Sequence, residues 1–464
     1  LGRGRELWSS LCLSALVVLI CQPLQLFMAG FQLSYLATMS LLWFVPPLAR
    51  RLPGVVGRWR VPFWLRQALA AALAAQVLVL PAQLYYFGRY PLAGMLATPP
   101  AAALTALQLW GGMGAGILGL VGGWPAQALN VLVGLCARAT LALVQGAAAL
   151  GALDWGRPGA VGLGYYAVAA LVALWWTQGQ LRPRWAIANL AALALGALPL
   201  ALVSPSPEVV CFDVGQGDST LLRLPGATVL VDGGGSPGYS YDIGGQVLAP
   251  ALRALGVRYL DVVIATHSDL DHLEGLVSLA RSMPVGLLVL GAAGANDPAY
   301  APLVAAMPRT PVRLVQRGEV WRMGVATLSF LNPPPRPYPR SDNNNSVVLR
   351  LNYGQTSLLI AGDIEAAAES DIAPLAGPVA VLRVAHHGAR TSSTPGFLRQ
   401  VQPQVAVVSV GKNPFGHPHP AVLARLAALG RVWRTDQDGA ARLALDRRRD
   451  LQELGAGPWL SDSR

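Results

Sequence analysis

The stretch that decides the fold of the C-terminal part of this chain is His267-Ser-Asp269-Leu-Asp271-His272. It follows an apolar, β-branched run over residues 260–266, which predicts a buried strand, and it precedes a helical pattern over residues 273–279. Two imidazoles and two carboxylates on a loop at the carboxyl end of a strand can converge on one or two divalent cations. The segment therefore predicts a metal-binding loop.

A structural alternative is that this loop only caps the following helix, with Asp269 or Asp271 as the N-cap residue. That alternative leaves His267 and His272 without a role. All six histidines of the chain lie between positions 267 and 419, in three clusters, and the first 266 residues contain none. This clustering favours a metal centre over a simple helix cap.

Two further apolar strands are predicted to end in side chains that bind metals. Residues 357–362 precede Asp363, and residues 382–385 precede the pair His386-His387. An aspartate at the end of a strand is more often a turn residue, but beside the first loop Asp363 is predicted to be a ligand. Of the two histidines, His386 is favoured as the last metal ligand, and His387 is assigned to the catalytic group.

The third cluster of histidines, His417 and His419, shares a segment with Lys412, the one lysine of the chain beside 34 arginines. A compact ammonium at Lys412 suits contact with a phosphate oxygen, although chance retention of a lysine in a loop explains it equally well. His417 and His419 are predicted to contact substrate or to act as acid–base groups, with ordinary surface histidines as the alternative.

The pattern His267-x-Asp269-x-Asp271-His272 resembles the metal-binding signature of the metallo-β-lactamase superfamily, with Asp269 in place of the usual second histidine. Residues 212–219 and 229–234 resemble the opening strands of that fold. The resemblance implies an αββα sandwich over residues 205–464, and it puts Asp363 at the metal-bridging position. It also implies that Asp232 orients a ligand histidine through a hydrogen bond.

One departure from the superfamily concerns the metal. Where a further histidine is usual, this chain has Asp342-Asn-Asn-Asn-Ser346. One site is therefore poorer in nitrogen and richer in oxygen, which shifts its preference from Zn²⁺ toward Mn²⁺ or Mg²⁺. For the whole centre we expect one or two divalent ions, Mn²⁺ or Zn²⁺, with Mg²⁺ as a further candidate. Such ions activate water and neutralise phosphodiester charge, which predicts a phosphodiesterase in which Asp271 is catalytic.

The first 204 residues have a different composition, with 12 arginines, two acidic residues and long apolar runs. Runs of about 20 apolar residues are what a helix needs to cross a membrane. Seven such runs lie near residues 9–28, 31–49, 64–87, 92–121, 126–152, 159–176 and 185–203. The fourth run is rich in Gly and Pro, which leaves open a broken or re-entrant segment.

Arginine placement predicts the orientation of these segments. With seven crossings, one face holds nine arginines, whereas the other holds only Arg89 and Arg157. The nine are Arg3, Arg5, Arg50, Arg51, Arg58, Arg60, Arg66, Arg182 and Arg184. The positive-inside rule assigns their face to the cytoplasm, so the chain is predicted to lie in the cytoplasmic (inner) membrane with its C-terminal domain outside.

Several motifs together resemble the ComEC-type competence channels through which bacteria take up DNA. They are residues 213–219, 386–388 and 416–420, and in the second apolar run residues 31–35. The resemblance implies a channel for single-stranded DNA with an outer nuclease domain, and it implies DNA, the membrane and other competence proteins as partners. The chain opens at Leu1 without Met, inside the expected membrane domain, so it is interpreted as an N-terminally truncated fragment.

Three functions remain open at this point. The first is a DNA-uptake channel whose nuclease domain degrades the strand that is not transported. The second is a transporter whose hydrolase-like domain only binds DNA, since the change at residues 342–346 weakens one metal site. The third is a membrane-anchored phosphodiesterase that acts on lipids or envelope polymers.

Overall fold

The protein is described from a computed structural model that covers residues 7–52, 55–56, 59–120, 122–154, 158–202, 206–235, 241–339, 341–445 and 452–453. The chain divides into two compact units, Leu1–Val203 and Ser204–Arg464. Four arginines used in the orientation argument, Arg3, Arg5, Arg58 and Arg157, lie outside the described residues, as does the predicted domain boundary after Ser204.

The described part of the first unit contains a helix at each of the seven apolar runs. These helices are α1 (Leu7–Cys21), α2 (Ala29–Arg51), α3 (Phe63–Phe87), α4 (Leu92–Gly119), α5 (Gly123–Ala149), α6 (Ala160–Thr177) and α7 (Pro183–Leu202). Two short strand pairs join loops between them, β1 (Val55–Val56) with β2 (Trp59–Arg60) and β3 (Arg89–Tyr90) with β4 (Leu153–Asp154).

The fourth run does not break. Helix α4 is continuous through Pro99 and Pro100, so the expectation of a broken segment is wrong. Helix α4 packs closely against α5 at Gly111, where an added Cβ atom would lie only 2.7 Å from a methyl group of Val133. Small residues of this kind let apolar helices approach each other closely, which stabilises them where water does not drive association.

Among the described residues, α3, α4 and α5 are long and apolar enough to cross a membrane. Two shorter apolar helices lie at Leu7–Cys21 and Val161–Thr177. The chain therefore has the helices of a membrane protein, and the number of seven crossings stays a prediction.

The second unit contains two packed sheets. The first has the order β10-β9-β8-β7-β6-β5-β18-β19 and consists of β5 (Glu208–Cys211), β6 (Thr220–Leu224), β7 (Ala227–Val231), β8 (Val262–Ala265), β9 (Leu288–Gly291), β10 (Val312–Val315), β18 (Ala441–Ala444) and β19 (Gln452–Glu453). The second has the order β11-β12-β13-β14-β15-β16-β17 and consists of β11 (Val320–Met323), β12 (Ala326–Asn332), β13 (Val348–Tyr353), β14 (Thr356–Ile360), β15 (Val381–Arg383), β16 (Val405–Val408) and β17 (Arg431–Arg434).

Alternation along the strands builds the layers, because successive side chains of a strand point to opposite faces. Val209 and Leu222 pack between the sheets, whereas Val210 and Leu221 pack on the outer face of the first sheet. The helices of that outer layer are α8 (Ala249–Ala254), α9 (Leu270–Ala280) and α10 (Ala301–Ala306). Those of the other outer layer are α11 (Ala366–Ala376), α12 (Pro395–Val401) and α13 (Pro420–Ala427), and α14 (Thr435–Asp438) is a single turn after β17. The predicted αββα sandwich is confirmed.

Strand direction positions the site. Strands β7, β8 and β9 are parallel in the first sheet, and β14, β15, β16 and β17 are parallel in the second. Parallel neighbours end at the same edge of a sheet. The segments that follow β8, β14 and β15 bear the predicted metal ligands, and the segment that follows β16 bears Lys412, His417 and His419.

Candidate metal centre

The loop after β8 delivers the first group of side chains. His267 lies two residues beyond the strand, whereas Asp271 and His272 lie in the first turn of α9. Asp269 occupies the N-cap position of that helix, but its side chain makes no capping hydrogen bond. The alternative in which these carboxylates merely cap the helix is therefore not supported for Asp269.

The three ligand-bearing loops meet at one point. His272 Nε2 lies 3.3 Å from Asp363 Oδ1, and His267 Nε2 lies 4.0 Å from Asp363 Oδ2. His387 Nε2 lies 3.2 Å from Asp271 Oδ2 and 3.6 Å from Asp363 Oδ2. Asp269 joins at the solvent side, with its Oδ2 at 3.4 Å from His267 Nε2 and half of its side chain exposed.

Buried polar atoms without a hydrogen-bond partner test whether a metal fits these residues. His267 Nε2, His272 Nε2, His387 Nε2 and Asp363 Oδ1 are all buried and all lack one. Buried polar atoms are nearly always satisfied, so four orphans facing one another need an explanation. Imidazole nitrogens and carboxylate oxygens are ligands for Zn²⁺ and Mn²⁺, and the sets His267, His272, Asp363 and Asp271, His272, His387 each bring ligand atoms within 4.8 Å of one another. The residues fit a divalent cation.

Hydrogen bonds on the far side of two rings hold them in place. His272 Nδ1 lies 2.8 Å from Asp232 Oδ2, so the predicted orienting role of Asp232 agrees with the geometry. The other oxygen of Asp232 accepts from the Thr266 amide at 2.8 Å, and the Thr266 hydroxyl lies 3.0 Å from His267 Nδ1. A histidine that hydrogen-bonds through one ring nitrogen presents the other to a metal.

The structure favours His387 over His386 as the last ligand. The His387 side chain is 2 % exposed and belongs to a candidate metal group, whereas His386 is 22 % exposed and belongs to none found among the described residues. His386 Nε2 lies 3.9 Å from Asp363 Oδ2, and its Nδ1 lies 3.6 Å from Glu365. Both histidines have positive φ, 50° and 51°, and this tight turn separates their directions. Sequence offered no means of choosing between adjacent histidines.

Two supporting residues were missed by sequence reasoning. Asp218 Oδ1 lies 3.2 Å from His387 Nδ1, and the buried guanidinium of Arg383 pairs with the same carboxylate oxygen. The carbonyl oxygen of Ser409 lies 3.0 Å from His387 Nδ1. The sequence did contain one signal for Arg383, because this charged residue interrupts the otherwise apolar strand residues 381–385.

Residues 342–346 hold the backbone beside Asp363 and supply no imidazole. The Asn344 side chain accepts hydrogen bonds from the amides of Glu365 and Ala368. The Ser346 hydroxyl accepts from the Asp363 amide at 3.2 Å. The oxygens of both side chains are therefore committed to backbone amides, and the oxygen-rich metal site stays a prediction.

The loop after β16 lies at the rim. His417 is half-buried, and its ring centroid lies 5.4 Å from that of His386 and 6.5 Å from that of His387. Asn413 braces this loop by donating to the carbonyls of Gly411 and His417, and Lys412 beside it is exposed. His419 has a different task, because its Nδ1 accepts from the Ala421 amide at the start of α13. That hydrogen bond makes His419 the N-cap residue of α13, a structural role that explains its presence without a catalytic one.

Charge is concentrated in this cluster. Burial raises the pKa of Asp363, but positive charge on His272 and His387 outweighs burial and holds it well below its ordinary value. Burial lowers the pKa of His387, but Asp363 and Asp218 outweigh burial and raise it to about 10. Burial, with His386 and His387, lowers the pKa of His417. Protons on the imidazoles therefore balance the carboxylates, and a divalent cation can take over that balance.

Comparison with known proteins found a matching family model in each half of the chain. The Competence protein family model matches residues 1–180, and the metallo-beta-lactamase superfamily model matches residues 212–412. ComE operon protein 3 of Bacillus subtilis is 30% identical over 469 residues, which covers 93% of this chain and 57% of that protein. Competence protein ComA of Neisseria gonorrhoeae is 33% identical over 287 residues, which covers 61% of this chain and 38% of that protein.

A solved structure with a similar fold is the metallo-beta-lactamase fold protein YhfI from Bacillus subtilis, with 14% identity and a TM-score of 0.35. The match covers 51% of this chain and 100% of that one. The chain spans little more than half the length of the first curated relative and less than half of the second. By these two family-model matches and its curated relatives, the chain carries a competence protein domain followed by a metallo-β-lactamase superfamily domain.

Proposed function

We propose that this chain is part of a membrane channel for DNA uptake, with a membrane domain at residues 1–204 and a hydrolase domain at residues 205–464. The hydrolase domain cleaves phosphodiester bonds in the strand that is not transported. The observation that carries the hydrolase half is the convergence of His267, His272, His387 and Asp363, whose facing atoms lack partners. The competence family match supports DNA as the substrate, and other competence proteins as partners.

The chemistry follows from the side chains at the centre. A divalent cation held by His267, His272, His387 and Asp363 would supply a water with a pKa of about 7 and would neutralise phosphate charge. The candidates are Mn²⁺ and Zn²⁺, with Mg²⁺ as a third. Asp271 lies 3.2 Å from His387 and keeps 19 % of its side chain exposed, so its carboxylate orients the attacking water. Burial and the neighbouring His386 and His387 lower the pKa of His417, which suits a hydrogen-bond partner of the substrate more than an acid. Lys412 contacts a phosphate oxygen from the rim.

The hydrolysis is tested on the full chain purified in detergent. Metal content is measured, and cleavage of single- and double-stranded DNA is assayed with Mn²⁺, Mg²⁺ and Zn²⁺. We expect Asp271→Asn to keep the fold and to lower the cleavage rate about a thousandfold, since an amide neither neutralises a cation nor accepts a proton comparably. The matched control is Asp436→Asn, which removes an exposed carboxylate paired with Arg434 at 2.6 Å and should leave the rate unchanged. Cleavage by Asp271→Asn at the parental rate with metal bound would refute the assignment.

The membrane half supports an outward position of the hydrolase domain, by the arginine asymmetry of the predicted crossings. A reporter that is active only in the cytoplasm, fused after Arg464, should be silent in intact cells. A fusion after Leu120, near the end of α4, is the matched control, since four crossings return the chain to the cytoplasm. Strong activity of the C-terminal fusion would place the hydrolase domain inside.

One observation favours a second function, DNA binding without cleavage. Asn344 and Ser346 are committed to the backbone where a ligand histidine is usual, so one metal site has fewer strong ligands. Metal content separates the two functions. A purified chain that binds DNA but retains no divalent ion under any of the three metals would favour the binding function.

A further inference from the structure

Arg383 is the largest fully buried side chain of the described protein. It ends β15, four residues before His387, and its guanidinium pairs with Asp218, a carboxylate from the loop between β5 and β6 of the opposite sheet. Burying two charges costs several kcal/mol per ion, and a well-packed apolar pair is often as stable. A salt bridge in this position therefore calls for a reason other than stability.

The carboxylate of Asp218 connects this ion pair to the metal centre. Its Oδ1 lies 3.2 Å from His387 Nδ1, and the Ser409 carbonyl oxygen lies 3.0 Å from the same nitrogen. Two acceptors at Nδ1 keep the proton of the neutral ring on that atom. The lone pair is then left on Nε2, the atom that faces Asp271 and Asp363 without a hydrogen-bond donor.

Arg383 also ties together the three segments that surround the ring. Its second hydrogen bond, from NH1, goes to the carbonyl oxygen of Val407 at 3.2 Å. Val407 lies on β16, two residues before Ser409. The guanidinium of Arg383, on the strand before His387, therefore contacts both the strand that leads to Ser409 and the loop that contains Asp218. His387 itself has a left-handed backbone with φ of 51°, a conformation that its surroundings must stabilise.

We propose that Arg383 is a positioning residue that fixes the Asp218 carboxylate against His387 Nδ1, so that the ring directs its Nε2 toward a divalent cation. This inference rests on the proposed function of the same centre. Arg383 itself lies outside the ligand set, and it acts through the carboxylate.

The test compares two buried arginine–carboxylate pairs of the same domain. Arg223 on β6 has a side chain that is 10 % exposed, pairs with Glu208 at 3.1 Å and donates to the Leu255 carbonyl at 2.6 Å. It lies five residues beyond Asp218, about 16 Å along an extended chain. Arg223→Met is therefore the matched control for Arg383→Met, since each removes one buried cation.

The measurements are the affinity of the purified full chain for Mn²⁺ and Zn²⁺, by competition with a chelator, and the thermal unfolding of the metal-free protein. We expect Arg383→Met to lower the metal affinity about 10- to 100-fold, the usual effect of losing support for a ligand histidine. Arg223→Met should lower the unfolding temperature and leave the metal affinity within about threefold, because Arg223 pairs with Glu208 and Leu255 and not with a residue that supports His387. Arg383→Lys should recover part of the lost affinity, since it restores the charge without the fork of hydrogen bonds.

A double variant keeps the test decisive if Arg383→Met fails to fold. Asp218→Asn with Arg383→Met removes both buried charges, so folding should recover while the metal affinity stays lowered. Parental metal affinity in the folded double variant would overturn the proposal. Because metal binding is read without DNA, a parent chain that binds Mn²⁺ but cleaves no DNA would refute the hydrolysis and leave the role of Arg383 supported.

Discussion

The two loops that bring imidazoles to the centre are built differently. The loop at residues 267–272 enters a helix, and its histidines are held by Thr266 and by Asp232, which directly follows the strand next to β8. The turn at His386-His387 has a left-handed backbone, and His387 is held by Asp218 from the other sheet. The first loop depends on neighbours within its own sheet, whereas the second exists only when the two sheets have packed.

The largest expected effect is a difference in metal affinity between variants of the two histidines of the second loop. We expect His387→Ala to lower metal affinity by at least about a hundredfold, because it removes a buried ligand nitrogen that faces two carboxylates. His386→Ala should change affinity less than about tenfold, since His386 is partly exposed and its Nε2 lies 3.9 Å from Asp363 Oδ2, beyond hydrogen-bond distance. Chelator competition on both variants measures this. Equal losses would show that the two histidines share the ligand role.

Weakening the support of the first loop should have a smaller effect. Asp232→Asn keeps the shape of the side chain but removes the charge that faces His272 at 2.8 Å. We expect about 10- to 100-fold weaker metal binding, with the αββα fold retained by circular dichroism. Comparison with Arg383→Met shows which loop depends more on its support, and unchanged affinity in Asp232→Asn would mean that Thr266 alone orients these rings.

A pH titration sharpens the same comparison. In the metal-free protein the pKa of His387 is raised from 6.5 to about 10. The stabilisation that its proton provides is therefore full below pH 6.5 and is lost as the pH rises through about 10. A metal must displace that proton and the proton of His272, whose pKa Asp363 and Asp232 also raise, so affinity should rise roughly 10- to 100-fold per pH unit between pH 7 and 9, after correction for the chelator. An affinity that does not change with pH would contradict protonation of these rings.

The smallest effect is expected outside both loops. His419→Ala removes the side-chain acceptor for the Ala421 amide at the start of α13 and should cost about 1 kcal/mol of unfolding free energy. His419→Asn, which retains a capping oxygen, is the matched control and should be nearly neutral. DNA cleavage should be unaffected by both, and a loss of cleavage in both variants would return His419 to the catalytic group.

Much of this arrangement could be predicted from the sequence, because its signals are local. Apolar runs of helical length in the first unit, and β-branched runs that end in His267, Asp363 or His386-His387, show in residue type and spacing alone. Parallel strands end at a common edge, so convergence of the ligand segments followed from the strand assignment. The role of Asp232 was implied by the resemblance to the metallo-β-lactamase fold, and this residue directly follows β7, the strand beside β8.

Only the tertiary structure decided which atoms face one another. The choice between His386 and His387 depends on two backbone angles in a single turn, and the partner of Arg383 lies 165 positions away in the sequence. The capping role of His419 likewise depends on where α13 begins. Hydropathy and spacing report the face and the element of a residue, whereas the direction of one buried side chain depends on contacts that form only when the two sheets pack together.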